Sequence, residues 1–158
     1  MDRGTASVAL VLVTALLVFA AIQPMLQGNQ ERFSELGVLG PAQTIGGYPT
    51  SVVAGSPFLL YGYIGNHEGT ASLYQLLVKV GNESTVVTNS TYARAPTILS
   101  YTHVLGQNQS VTFPLNLTLS QPGSGIRLVF ELWTYDVTNA SYQYSGLWNQ
   151  LFLNVTSH

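Results

Sequence analysis

From Phe33 onward, the chain is built of short runs in which apolar and polar residues alternate, with Gly, Pro, Asn and Ser between the runs. In residues 111–119, for example, every second side chain is apolar. A period of two places all the apolar side chains of a run on one face of a β-strand. The pattern predicts an all-β fold, an immunoglobulin-like β-sandwich of seven to eight strands that occupies residues 33–158.

Turn residues bound each predicted strand. Within residues 126–135, Arg127 and Glu131 alternate with apolar residues, so both are expected on an exposed face. Residues 142–146, with the sequence Tyr-Gln-Tyr-Ser-Gly, are expected to form a loop before the last strand. The predicted strands cover residues 33–39, 52–53, 57–64, 73–80, 85–88, 100–105, 111–119, 126–135 and 147–155.

An apolar segment precedes this domain. Residues 5–22 carry no charged side chain, and the segment continues to Leu26, so its length is close to the roughly 20 residues that cross a bilayer. We therefore expect a single transmembrane helix at residues 1–26, in contact with membrane lipid, followed by a short stalk at residues 27–32. Arg3 lies before the helix, which favours a cytoplasmic N-terminus and an extracellular C-terminal domain in a single-pass protein of the cell membrane.

Two alternatives to an intact membrane helix remain open. A signal peptide cleaved after residues 18–20 would normally have a shorter apolar core, of about 7–15 residues. The Arg3-Gly4 pair directly before the apolar segment is similar to the processing site of archaeal pilins, in which cleavage would separate Gly4 from Thr5. In that case the chain would be a pilin-like subunit of an extracellular filament.

The motif Asn-x-Ser/Thr occurs six times in the predicted outer domain. In a chain of about 130 residues with about 4% Asn and about 13% Ser plus Thr, chance gives on the order of one occurrence. N-linked glycans are added to such motifs on the surface of extracytoplasmic domains. We therefore expect glycans on Asn82, Asn89, Asn108, Asn116, Asn139 and Asn154.

Residues 33–69 contain more specific motifs, namely Leu39-Gly40-Pro41, Tyr48-Pro49-Thr50, Gly55 and Asn66-His67-Glu68. In these motifs the chain resembles an uncharacterised family of archaeal membrane proteins with an immunoglobulin-like outer domain. The resemblance implies an extracellular sandwich and no known catalytic activity.

The residues of these family motifs also have plain structural roles. Tyr48 and Pro49 favour an extended approach to the next strand. Asn66, His67 and Glu68, followed by Gly69, are typical of a β-turn in which the Asn66 side chain bonds to its own backbone and Gly69 adopts a positive φ.

No cluster of residues indicates catalysis, a metal or a cofactor. A zinc or copper site needs three or four converging ligands, and the only histidines are His67, His103 and His158. The absence of cysteine excludes disulfides and thiolate chemistry, and no Gly-x-Ser-x-Gly motif is present. Five Lys and Arg residues are too few for a nucleic-acid binder. We therefore expect a protein that is not an enzyme.

Aromatic residues are the remaining feature, because the chain has nine tyrosines and two tryptophans. Tyr142, Tyr144 and Trp148 are candidates for a protein contact, since Tyr and Trp dominate binding hot spots. The leading expectation is a non-catalytic, membrane-anchored, N-glycosylated extracellular accessory or structural subunit. Its partners would be other integral-membrane or cell-surface proteins, with the protein docking on a membrane complex or on the cell-surface layer. An extracellular ligand- or sugar-binding module is a further alternative.

Overall fold

The computed structural model describes residues 31–157, whose compact unit begins at Arg32. These residues form the predicted all-β fold. The predicted transmembrane helix lies outside the described residues, and no helix within residues 31–157 is long and apolar enough to cross a membrane. The eight strands are β1 (Ser34–Leu39), β2 (Ser51–Val53), β3 (Pro57–Asn66), β4 (Ser72–Gly81), β5 (Thr97–Leu105), β6 (Gln109–Thr118), β7 (Gly123–Asp136) and β8 (Ser141–Thr156).

The strands form two sheets that enclose one apolar core, which is the predicted immunoglobulin-like β-sandwich. The small sheet has the order β1-β3-β6, and the large sheet has the order β2-β8-β7-β4-β5. All neighbouring strands are antiparallel except β2 and β8. Because β1 and β6 come from distant parts of the chain, the small sheet forms only when the chain has folded.

The core between the sheets is built from the apolar faces of the alternating runs. Leu60 and Leu115 project from the small sheet, and Leu76 and Phe130 project from the large sheet; all four are fully buried in one cluster. The ring of Phe113 on β6 stacks on that of Tyr101 on β5, with the ring centres 3.6 Å apart. This inner core therefore follows directly from the period of two in the sequence.

A long connection covers the outer face of the large sheet. Residues 82–96, which we call the cover segment, join β4 to β5 and pack Val87 and Ala93 against Val129 of β7. Val129 neighbours the core residue Phe130 in sequence, so its side chain points away from the core and would face solvent without this segment. The sandwich thus has a second, smaller apolar layer on one outer face.

Three expectations from the sequence are wrong. Residues 85–88 are not a strand, because Val87 is buried by packing on the large sheet rather than by pairing at its edge. Residues 142–146 are not a loop but the first part of β8, where Tyr142 and Tyr144 pair with β7. The outer face of β7 is not exposed: Glu131 is fully buried beneath the cover segment, and Arg127 is half-buried.

Candidate functional site

The six expected glycosylation sites all have exposed side chains. Asn116 lies on the outer face of β6, where its neighbours Leu115 and Leu117 point into the core. Asn154 occupies the equivalent position on β8, between Leu153 and Val155. The other four sites lie in connections between strands: Asn82, Asn89, Asn108 and Asn139.

Asn139 differs from the other sites because its side-chain nitrogen is engaged. Its Nδ2 atom donates to Oδ2 of Asp136 at 2.5 Å in the turn between β7 and β8. The backbone N–H of Thr138, and then the side chain and backbone of Asn139, hold the pKa of Asp136 below its usual range. Because N-glycosylation joins a sugar to the side-chain nitrogen of asparagine, this hydrogen bond would have to break before Asn139 could be modified.

The Asn-His-Glu motif forms the predicted turn between β3 and β4. Oδ1 of Asn66 accepts from the backbone N–H of Glu68 at 3.0 Å, and Gly69 has a φ of 85°. Nδ2 of the fully buried Asn66 also donates to the carbonyls of Leu105 and Gly106, at 2.9 Å and 3.1 Å. Asn66 therefore joins this turn to the turn between β5 and β6, a long-range role that the sequence did not predict.

His67 contributes to the same end of the sandwich. Its ring stacks on Phe33, with the ring centres 4.7 Å apart, and Nδ1 lies 3.1 Å from Oδ1 of Asn108. Tyr48 lies elsewhere in the fold, where its hydroxyl donates to the carbonyl of Val38 at the edge of β1. Pro49 follows in the connection to β2. The family motifs thus stabilise two separate places in the domain, the turn between β3 and β4 and the edge of β1.

A buried ion pair holds the cover segment on the sheet. Nζ of Lys79 lies 2.8 Å from Oε2 of Glu131 and donates to the carbonyl of Ala93 at 2.8 Å. The backbone N–H of Ala93 donates to Oε1 of Glu131, and Nε1 of Trp133 donates to Oε2 at 3.1 Å. Ala93 is therefore bound through both of its backbone polar groups, which satisfies groups that would otherwise be costly to bury.

Aromatic rings surround this pair. The ammonium of Lys79 lies 5.0 Å from the centre of the Tyr92 ring and 5.7 Å from that of Trp133, within reach of cation–π attraction. The hydroxyl of Tyr144 donates to the carbonyl of Thr88 at 2.8 Å. Burial, and then the negative charge of Glu131, raise the pKa of Tyr144 to about 12.

The three aromatic residues expected to contact a partner have different environments. Tyr144 and the half-buried Trp148 pack against the cover segment, so the fold itself uses them. Tyr142 pairs only with Tyr135 across the β7–β8 hairpin, with ring centres 5.2 Å apart. Their role in a protein contact stays a prediction. Tyr142 differs from the other two because its aromatic contact lies within the β7–β8 hairpin and not with the cover segment.

Within residues 31–157, no three His, Asp or Glu side chains come together in a way that would hold a metal ion. Nε2 of His67 lies 3.7 Å from Oε2 of Glu35. Glu35 instead accepts from the hydroxyl of Tyr63 at 2.8 Å, and this bond raises the pKa of Tyr63. Glu35 therefore serves the pairing of β1 with β3.

Structural comparison finds solved structures that are similar to this chain. The chain is similar to the CARDB domain of a protein from Pyrococcus furiosus, with 11% identity, coverage of 79% of this chain and 89% of that domain, and a TM-score of 0.49. It is also similar to part of a β-glucosidase from Listeria innocua, with 11% identity and a TM-score of 0.49, over 80% of this chain and 16% of the enzyme. For the PapD-like domain 7 of human CEP192, the identity is 14%, the coverage 78% and 86%, and the TM-score 0.41.

Sequence comparison with curated proteins finds no match. The model of one protein family does match, over residues 27–150, and that family is described as a domain of unknown function, DUF1616. The match covers most of the chain and nearly all of the sandwich. It confirms the resemblance to an uncharacterised family, and this chain belongs to the DUF1616 family.

Proposed function

We propose that this chain is a non-catalytic, N-glycosylated outer domain that residues 1–26 hold at the cell membrane, where it serves as an accessory or structural subunit. The observation that carries the proposal is the exposure of all six asparagines in Asn-x-Ser/Thr motifs. In a strand, the Asn and the Thr of such a motif are two residues apart and therefore share one face, so both are accessible when that face is exposed. Asn116 and Asn154 both fall on the exposed face.

The composition of the domain fits this role. Charged residues make up 8% of the chain, whereas soluble proteins typically have about 25%. Glycans on exposed asparagines would supply the polar, hydrated surface that charged side chains supply elsewhere. The domain would thus remain soluble outside the cell with few ion pairs on its surface.

The uncharged segment 5–22 supports the membrane part of the proposal. Small residues at the start of this segment, Ala6 and Ser7, and Gly4 directly before it would allow close approach to another membrane helix. The outer domain would then cover or brace the partner complex, or join the cell-surface layer.

Native purification tests this role. We expect a mild-detergent membrane extract to yield the chain with Met1 retained, with added glycan mass, and with stoichiometric membrane partners identified by mass spectrometry. A mass that begins at Thr5, recovered from sheared extracellular fibres, would instead establish a filament subunit. A chain found without glycan and without partners would overturn the proposal.

Paired variants on β6 test glycosylation itself. Thr118→Ala destroys the motif of Asn116, whereas Thr112→Ala changes an exposed threonine on the same face of the same strand and leaves every motif intact. We expect the first variant to lose the mass of one glycan and the second to lose none. Equal masses, apart from the substitutions, would show that Asn116 carries no glycan.

A further inference from the structure

An open cavity of about 620 Å³ lies between the two sheets at the end of the sandwich where β1 and β4 begin. Its volume falls within the roughly 300–1,000 Å³ typical of small-molecule sites. Seven of its nine lining residues are polar or charged, and five of these are serine or threonine. Apolar residues normally dominate ligand pockets, so this cavity is suited to a ligand that is itself rich in polar groups.

One wall of the cavity is held in place by a chain of hydrogen bonds. The hydroxyl of Ser34 donates to Oε1 of Glu68 at 2.6 Å and lies 2.9 Å from the hydroxyl of Tyr74, which is fully buried. Burial raises the pKa of Tyr74. Because Asn66 also fixes the backbone of Glu68, this carboxylate is oriented before any ligand arrives.

Two charged groups line the cavity without neutralising each other. Among residues 31–157, neither Glu68 nor Arg32 has an oppositely charged group within 4.0 Å. The Arg32 side chain lies beside Gly69, with Nε 3.5 Å from the point where a β-carbon would be. A carboxylate that only accepts and a guanidinium that only donates are therefore both available to a ligand.

We propose that this cavity binds a neutral saccharide. Vicinal sugar hydroxyls both donate and accept, so they match the carboxylate of Glu68, the guanidinium of Arg32 and a threonine hydroxyl such as that of Thr134. The ring of Phe33 stacks on His67 but is still 46% exposed and lines the cavity, so it provides an apolar surface for the C–H groups of a sugar. This binding site goes beyond the proposed accessory role, and its loss would leave that role untouched.

The saccharide has two sources, a glycan of this chain or a glycan of another molecule. Asn108 is the expected glycosylation site that we take as the internal source, because its Oδ1 atom lies 3.1 Å from Nδ1 of His67, the residue before the lining residue Glu68. Both sources present the same hydroxyl chemistry. A production host that adds no N-glycan removes the first source, so experiments with and without glycosylation distinguish the two.

Saturation-transfer NMR tests the site. The full-length chain is produced in a host that adds no N-glycan and is held in a detergent without a sugar head group. The probes are the methyl glycosides of mannose, glucose and galactose. We expect saturation transfer to at least one of them, reduced at least fivefold in Arg32→Gln and in Thr134→Val. Thr102→Val, which removes an exposed hydroxyl on β5, should stay within twofold of the unchanged chain.

Several outcomes would overturn the site. These are no transfer to any probe, equal transfer in all variants, or stronger transfer to glucuronate or to the zwitterion glycine than to the neutral glycosides. Arg32 is exposed, so Arg32→Gln should have the same free energy of unfolding as the unchanged chain. This variant keeps the test interpretable if Thr134→Val destabilises the sheet. In a glycosylated chain, transfer that appears only after Asn108→Gln identifies the chain's own glycan as the ligand; transfer without that change identifies an external one.

Discussion

The inner core and the layer beneath the cover segment both contain buried side chains, but the inner core is apolar and the other layer contains a charged pair. Between the sheets, fully buried Leu, Ile, Val and Phe side chains pack with no charged group in the cluster. On the outer face of the large sheet, the buried Lys79–Glu131 pair lies among aromatic rings and beneath a segment without regular structure.

The two layers differ because only one of them has to provide hydrogen-bond partners for backbone groups. Strands satisfy their own backbone groups, so the inner core needs only shape and apolar surface. The cover segment has no strand partner, so its backbone needs donors and acceptors from the sheet, and Lys79 and Glu131 supply them to Ala93. A buried ion pair of this kind adds little net stability compared with apolar packing, but it specifies one position for the segment.

Truncation in the inner core should have the largest effect. Phe130→Ala removes a fully buried ring from the centre of the cluster and should lower the free energy of unfolding by about 4 kcal/mol. Chemical denaturation followed by far-UV circular dichroism measures the change. A loss below about 1 kcal/mol would mean that the ring is not packed as described, since this is less than its transfer energy alone.

Removal of one charge beneath the cover segment should cost slightly less. Glu131→Gln leaves the ammonium of Lys79 buried without a counter-charge, and we expect a loss of about 3 kcal/mol. Both tryptophans lie on this side of the sheet, so their fluorescence should change before the circular dichroism of the strands does.

The double variant Lys79→Met with Glu131→Gln is the control for this pair. No uncompensated charge remains, and the side-chain oxygen of the glutamine can still accept from the backbone N–H of Ala93. More than half of the stability lost in Glu131→Gln should therefore be recovered. The single variant Lys79→Met completes the comparison. If the double variant loses as much unfolding free energy as the two single variants together, the residues act independently, which would contradict the pair.

A glycine on β8 separates backbone strain from contact with the cover segment. Gly146 has a φ of 82°, and a β-carbon there would lie 2.5 Å from the carbonyl oxygen of Asn89. Gly47 also has a positive φ, of 66°, but has open space around it. We expect Gly47→Ala to cost about 1 kcal/mol and Gly146→Ala about 2–3 kcal/mol in thermal or chemical unfolding. Equal losses would show that the cover segment does not press on β8.

The smallest effect concerns the decrease in the free energy of unfolding at alkaline pH. The pKa of Tyr144 is raised from 10.0 to about 12, so the folded chain keeps this proton where the unfolded chain has lost it. The resulting stabilisation is complete below pH 10 and is lost as the pH rises to 12. Tyr144→Phe should therefore make the fall in unfolding free energy between pH 10 and 12 less steep. Parallel curves for the two proteins would contradict the half-buried position of this phenol near the carboxylate of Glu131.

Residues that alternate strictly were predictable. For β6, the period of two indicated both the strand and its exposed face, including Asn116, because each side chain's direction follows from its neighbours. The turn at Asn66 was predictable for a similar reason, since Asn followed by Gly three residues later satisfies a turn locally. The additional bonds from Asn66 to Leu105 and Gly106 were not, because the partners are about forty residues away.

Glu131 marks where prediction from a period fails. Its position in the alternation correctly assigned it to the outer face of β7, but exposure depends on what covers that face. The cover segment has no period of its own, and neither its path nor its contact with Lys79 is encoded in local spacing. The same reason accounts for residues 142–146, where an interruption in the β7–β8 register hides the alternation of a continuous strand.

The sequence alone therefore determined the class of fold, the positions of most strands, the tight turns and the motifs for glycosylation, because each depends on residues a few positions apart. Only the tertiary structure decided which outer face is covered, which charges are buried, and that polar side chains from β1, β4 and β7 meet around one cavity. Those features depend on contacts between distant segments, and the free energy of such contacts appears only when the two sheets and the cover segment have come together.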